Sequence, residues 1–160
     1  MSTESLQAER VHLRNRRIAV VAATYNEKYT TALLQNCRDE LARLAPDVAV
    51  DVLRVPGAFE VPVIVNRVIA GADAPDVVIA LGVILRGSTA HADLIGSAIT
   101  QELLRTACRS LTPVIHEVLL LDSAQQAEER CVQERLNRGT EAARAAVSML
   151  RLIADEVSPH

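Results

Sequence analysis

Asp76-Val-Val-Ile-Ala-Leu-Gly-Val-Ile-Leu-Arg-Gly-Ser-Thr-Ala-His91 is the stretch on which the architecture turns. Residues 76–85 are almost all apolar, with Ala74-Pro75 before them and Arg86-Gly87-Ser88 after. A half-exposed strand alternates apolar and polar side chains, whereas a strand without alternation needs cover on both faces, as in a parallel sheet between helices. The run therefore reads as a central strand, and the segment behind it as the loop that opens a helix.

Working outward, Arg17-Ile-Ala-Val-Val-Ala-Ala23 is a second run of the same kind, ended by Thr24-Tyr-Asn26. From Glu27 the positions Thr30, Leu33, Leu34, Cys37, Leu41 and Leu44 recur at three- and four-residue intervals, which marks one face of a helix closed by Pro46. Asp47 to Val55 reads as a strand by the alternation of Val48, Val50 and Val52, with Pro56-Gly57 ending it and Pro62 in the first turn of the next helix. Leu94, Ile95, Ala98, Ile99, Leu103, Leu104, Ala107 and Cys108 predict a helix of about five turns. Pro113 to Leu121 predicts a fourth strand, Asp122 or Ser123 the N-cap of a short helix, and Thr140 to Ile153 a last helix.

Strands alternating with helices predict a single-domain, three-layer α/β/α sandwich around a four-stranded parallel sheet, flavodoxin-like in kind. Residues 1–16 read as an N-terminal arm and 17–157 as the domain. Ligands of such sheets bind beyond the C-terminal ends of the strands. That rule directs attention to four loops: Thr24 to Asn26, Val55 to Glu60, Leu85 to His91, and the residues around Asp122.

Composition excludes several classes. At 160 residues the chain suits one domain, and although 49% of it is hydrophobic, no apolar run has the length of a membrane span. The start, MSTESLQAERVHLRNRR, has no apolar stretch of the kind a secretory signal requires, so the expected location is the cytoplasm. Cys37, Cys108 and Cys131 show no metal-ligand or disulfide spacing and are expected as reduced thiols in the core. A net charge of −3 opposes a nucleic-acid surface, and the basic excess from Arg10 to Arg17 reads as a solvated arm. Tyr25, Tyr29 and Phe59 are the only aromatic residues, which leaves Ala, Val, Leu and Ile to build the core. Such broad apolar coverage also predicts burial against neighbouring copies in an oligomer.

Arg86-Gly-Ser-Thr-Ala-His91 joins a glycine, two hydroxyls and the N–H groups of a helix N-terminus, a combination suited to an oxyanion or phosphate. An N-cap with a neighbouring histidine would read the same. In the first helical turn, His91 is a candidate for proton transfer, although a surface histidine would look the same. Val55-Pro-Gly-Ala-Phe-Glu60 sets a ring beside a carboxylate, either to stack on and hydrogen-bond a planar ligand or to cap a helix with Phe59 buried. Tyr25 carries the same two readings. Arg130 can aim a guanidinium at a bound phosphate or simply lie in solvent, with Arg138 as a second cation and Glu141 as the carboxylate that would orient it.

Together, Val55-Pro-Gly-Ala-Phe-Glu60, Ala80-Leu-Gly-Val-Ile-Leu-Arg-Gly-Ser-Thr-Ala-His91, Gln126-Ala-Glu-Glu-Arg130 and Asn137-Arg-Gly139, in this order and spacing, resemble the lumazine synthase family. The resemblance spans nearly all of residues 17–150. It implies condensation of 5-amino-6-(D-ribitylamino)uracil with 3,4-dihydroxy-2-butanone 4-phosphate, with no metal or organic cofactor. By the same resemblance Tyr25 stacks on the pyrimidine, Ala58, Phe59 and Glu60 hold the ribityl chain and ring, and Val83, Ile84 and Leu85 line the ring pocket. Ser88, Thr89 and Arg130 match phosphate-binding positions, and His91 matches the proton donor. The family forms pentamers with active sites between subunits, some of them building larger shells, and a riboflavin synthase is the partner its product suggests.

Two departures stand out. Where the family usually has Phe-Gly on the fourth strand, this chain has His116-Glu117, so the pyrimidine site acquires a titratable wall; Arg138 stands for the usual lysine. His116-Glu117 also motivates an alternative, a relative that binds lumazine or flavin, or builds a shell, without catalysis. On fold alone a flavodoxin-like electron carrier or a receiver domain is a third reading. The first strand ends without a receiver's acidic cluster, and the chain is poor in the aromatics that tight flavin binding draws on.

Overall fold

The computed structural model describes residues 5–157. Its four strands are β1 (Arg17–Ala23), β2 (Ala49–Val55), β3 (Val77–Leu85) and β4 (Val114–Leu121), all parallel in the order β2-β1-β3-β4. The helices are α1 (Glu27–Leu44), α2 (Val61–Ile69), α3 (His91–Ser110), the short α4 (Ala124–Ala127) and α5 (Arg138–Val157). A 3-10 turn, Ala58–Glu60, precedes α2, and a π-turn, Glu128–Val132, continues α4.

The unbroken apolar strands serve both faces of the sheet at once. Ile18, Val20 and Ala22 of β1, with Val77, Ile79 and Leu81 of β3, pack against α1 and α5 on one side. Ala19, Val21, Ala23, Val78 and Ala80 point the other way, onto α2 and α3. The result is the three-layer sandwich predicted, with β3 an interior strand. Small side chains set the spacing: α5 offers Ala142, Ala143 and Ala146 to the core, and a Cβ on Gly139 would lie 2.2 Å from the Leu33 carbonyl oxygen of α1.

The alternation of Val50 and Val52 marks the strand expected there, β2, which lies at the sheet edge with these side chains 36% and 37% exposed. Two expectations need correction. Cys37 and Cys131 are buried, but Cys108 is exposed. It lies five residues beyond the buried Leu103, about 140° around the helix from the core face. The arm is more than solvated: Val11 is buried and its N–H donates to the Leu44 carbonyl at 2.7 Å. Arg16 pairs with Asp76 at 2.8 Å and Arg17 with Asp51 at 2.6 Å, so acids on the sheet answer part of the basic cluster.

The last helix starts at Arg138, two residues before the expected Thr140, because buried Asn137 caps it. Its Oδ1 accepts from the N–H groups of Gly139 (3.0 Å) and Thr140 (3.2 Å), while Nδ2 donates to the carbonyls of Cys131 and Gln133. Of the two candidate caps of the short helix, Ser123 is the one used, accepting from Gln126 N–H at 3.2 Å.

Candidate active site

In a sheet ordered β2-β1-β3-β4 the connections leave β1 and β3 toward opposite faces, and a crevice opens beyond their C-terminal ends. A cleft of about 510 Å³ lies there. Tyr25 and Asn26 follow β1; Gly57, Ala58, Phe59 and Glu60 follow β2; Val83, Ile84 and Leu85 end β3; Gly87, Thr89, His91, Ala92 and Ile95 complete the lining. Nine of the residues singled out from sequence therefore share one cavity, with Ser88 in the same loop.

Backbone hydrogen bonds explain how distant segments converge. Thr24 N–H donates to the Val55 carbonyl at 2.8 Å and Tyr25 N–H to that of Pro56 at 2.9 Å, tying the β1 loop to the β2 loop. Asn26 adopts a left-handed conformation, φ 59°, ψ 48°, and its Nδ2 donates to the Val83 carbonyl at 2.8 Å. That conformation costs most residues about 1 kcal/mol and asparagine less. The loop reading missed Asn26 as an individual; an asparagine immediately before a helix start was the available signal.

Phe59 and Tyr25 are 65% and 75% exposed, so neither ring is used to fill the core. Two ring faces beside the apolar wall of Val83 to Leu85 suit a planar heterocycle, and Glu60 supplies an acceptor. At the opposite side His91 is the first residue of α3. No side chain caps α3, so the N-cap alternative for Ser88 and Thr89 is set aside and their hydroxyls and N–H groups stand at the positive end of a 20-residue helix.

Four sequence candidates lie outside this chain's cleft. His116 faces α3: its Nδ1 accepts from Val118 N–H at 3.1 Å, which puts the proton on Nε2, 2.8 Å from Thr100 Oγ1. Burial lowers its pKa. Arg138 grips Glu117 through Nε (3.0 Å) and Nη2 (2.5 Å), an ion pair. Burial raises the Glu117 pKa, and Arg138 only partly offsets it. Glu141 accepts from Ser5 Oγ at 2.6 Å and Leu6 N–H at 2.9 Å and meets Arg144, so within this chain it anchors the arm. Arg130 sits in the π-turn with Nη1 buried and without a hydrogen-bond partner.

The cysteines offer no nucleophile in the core. Burial, with the nearby Glu117 charge, pushes the Cys37 and Cys131 thiols up to about 12. Among the described residues no group of three or more His, Cys, Asp or Glu side chains could hold a metal ion.

Comparison with known proteins agrees with this geometry. A family described as 6,7-dimethyl-8-ribityllumazine synthase matches residues 15–154. A 6,7-dimethyl-8-ribityllumazine synthase of Halorhodospira halophila is 36% identical over 148 residues, covering 92% of this chain and 94% of that protein. The β1/β3 cleft thus lies within a match that runs through all four strands, and the chain belongs to the 6,7-dimethyl-8-ribityllumazine synthase family.

Proposed function

We propose that the β1/β3 cleft is where this transferase condenses 5-amino-6-(D-ribitylamino)uracil with 3,4-dihydroxy-2-butanone 4-phosphate, the penultimate step of riboflavin biosynthesis. The products are 6,7-dimethyl-8-ribityllumazine, phosphate and two waters. The observation that carries the assignment is the convergence of Tyr25, Phe59, Glu60, Thr89 and His91 on one cavity.

Tyr25 stacks on the pyrimidine against Val83, Ile84 and Leu85, while Ala58, Phe59 and Glu60 hold the ribityl chain and ring. The 5-amino group attacks the ketone and loss of water gives an imine. His91 moves protons in that step and in the elimination that follows. Ser88, Thr89 and the N-terminus of α3 bind the phosphate as it leaves. Ring closure with loss of a second water completes the product. Holding two substrates side by side supplies much of the acceleration.

Arg130 completes the phosphate site from an adjacent copy in a pentamer, and His116 forms the far wall of the pyrimidine site in the same way. Exposed Val63, Leu94 and Leu104 support such an assembly, since a lone chain leaves them in water. Arg138 fixes the segment that leads out of the Arg130 turn through its pair with Glu117. No helix among the described residues is long and apolar enough to cross a membrane. The working location is the cytoplasm, with a riboflavin synthase, which consumes the product, as candidate partner.

The test is lumazine formation, followed by fluorescence, with the protein and its Arg130→Ala and His91→Ala variants. Turnover lost in the first and reduced in the second supports the reading. Bound lumazine without turnover above the uncatalysed rate would leave only the non-catalytic alternative.

A further inference from the structure

Arg86 ends the β3–β4 ladder, its N–H donating to the Leu121 carbonyl at 2.8 Å. Its guanidinium then holds two carboxylates at once. Nη1 bonds Asp122 Oδ1 at the end of β4, and Nη2 bonds Asp93 Oδ1 at 2.5 Å in the first turn of α3. Asp93 stands two residues beyond His91. Asp122 precedes the Ser123 cap of α4 and accepts, through its other oxygen, from Gln126 Nε2 at 3.4 Å. One side chain thus joins the end of β3, the helix start that carries His91, and the start of the segment that leads to Arg130.

The loop it spans has little else to hold it. Among the described residues no side chain from Gly87 to Ala90 makes a hydrogen bond, and a Cβ on Gly87 would meet nothing within 4 Å. The Arg86–Asp93 bond closes this loop across its base. Charge matters as well: Asp93 and Asp122 flank a site meant for an anion, and without a cation between them they would repel it. A planar fork can satisfy two carboxylates in fixed directions, which a lysine ammonium does not.

We infer that Arg86 is a positioning residue that fixes the phosphate-binding loop and His91 by clamping Asp93 to Asp122, without itself contacting the phosphate. The inference rests on the proposed reading of residues 87–91 as the phosphate and proton-transfer site. It separates Arg86, committed to two carboxylates, from Ser88, Thr89 and Arg130, which have hydrogen-bonding capacity to give a ligand.

The test compares the intact enzyme with Arg86→Gln, Arg86→Lys and the double variant Arg86→Gln/Asp122→Asn, the last restoring the net charge of the cluster but not the clamp. Loss of positioning lowers kcat about ten- to a hundred-fold in Arg86→Gln. The charge of Asp93 and Asp122, no longer offset, separately raises KM for the ketose phosphate about ten-fold. KM for the pyrimidine stays within about two-fold, because Tyr25, Ala58, Phe59 and Glu60 stand on other loops and Val83 to Leu85 are held in the sheet. Inorganic phosphate binding, read by calorimetry, weakens in parallel with the ketose KM. In the double variant that KM recovers while kcat stays low, and Arg86→Lys, able to hold one carboxylate firmly, is intermediate in kcat. Full recovery of kcat in the double variant would reduce Arg86 to a screening charge and overturn the inference. An equal rise in both KM values would overturn it too, as general damage. Failure of the underlying reading looks different: the wild-type protein would make no lumazine, or His91→Ala would leave turnover unchanged.

Discussion

Asn26 donates from Nδ2 to the carbonyl of Val83 at 2.8 Å, so the residue that starts α1 is tied to the strand beside it across the opening of the cleft. Its positive φ and this bond are separable by mutation. Asn26→Gly retains backbone freedom and loses the bond, which costs about 1 kcal/mol. Asn26→Ala loses both, for about 2 kcal/mol in all. Thermal unfolding at fixed protein concentration measures the difference; equal losses in the two variants would mean that the left-handed backbone contributes nothing. Both variants should also raise KM for the pyrimidine, since Asn26 borders its pocket.

Tyr25 contributes to binding rather than to folding. Its ring is 75% exposed in the chain, and it enters the cleft on backbone bonds that do not depend on its side chain. Tyr25→Phe should leave KM for the pyrimidine nearly unchanged, and Tyr25→Ala should raise it about three- to ten-fold, the value of one ring contact. A melting temperature that falls by several degrees in Tyr25→Ala would instead make the ring a packing element.

What was legible in the sequence, and what was not, follows from the range of the forces involved. Buried parallel strands need apolar residues on both faces, so β1 and β3 announce themselves as unbroken runs and their loops are found with them. Edge position is a tertiary property: Val48, Val50 and Val52 alternate as an inward face would, yet only Val48 of the three is buried. Cys108 misleads for a related reason, since one apolar residue cannot say where the stripe of a helix ends. Partner choice among charges was the least legible. Arg86, Asp93 and Asp122 meet only because β3, α3 and β4 converge, and Glu141 turns to the arm because Ser5 and Leu6 lie within its reach.

Two buried carboxylates should give opposite pH dependences. Arg43 and Arg144 outweigh burial at Glu40 and hold its pKa at about 2. The unfolded chain then binds more protons, so the stability from Glu40 is complete above the ordinary carboxylate range and is lost as pH falls toward about 2. Glu117 is raised by burial, so the folded chain keeps its proton longer, and its contribution is present in acid and declines as pH rises through the raised value. Glu40→Gln should cost on the order of 2 kcal/mol at pH 7 and progressively less in acid. Glu117→Gln should gain stability relative to the parent as pH rises from about 4 to about 7.5. Unfolding temperatures across this range decide; a Glu117→Gln variant that loses stability relative to the parent as pH rises would show that Arg138 outweighs burial.

Gly139 decides whether α5 can lie against α1. A Cβ there would come within 2.2 Å of the Leu33 carbonyl oxygen and 3.0 Å of its carbon, both backbone atoms of a buried helix that no rotamer change can move. It would also crowd Asn137 Oδ1, at 3.1 Å, the atom that caps α5 and accepts the Gly139 N–H. In a helix, alanine ordinarily gains about 1 kcal/mol over glycine. Here separation of the two helices and disruption of the cap should outweigh that gain, for a net loss of about 3 kcal/mol. Gly71→Ala is the control, because its nearest neighbour would be the Val68 carbonyl oxygen at 3.4 Å, an ordinary contact. Soluble yield and thermal unfolding of the two variants should therefore diverge, with Gly139→Ala poorly folded and Gly71→Ala close to the parent. Equal stability would mean that α5 can withdraw from α1 at little cost and that the close approach at Leu33 does not set the fold.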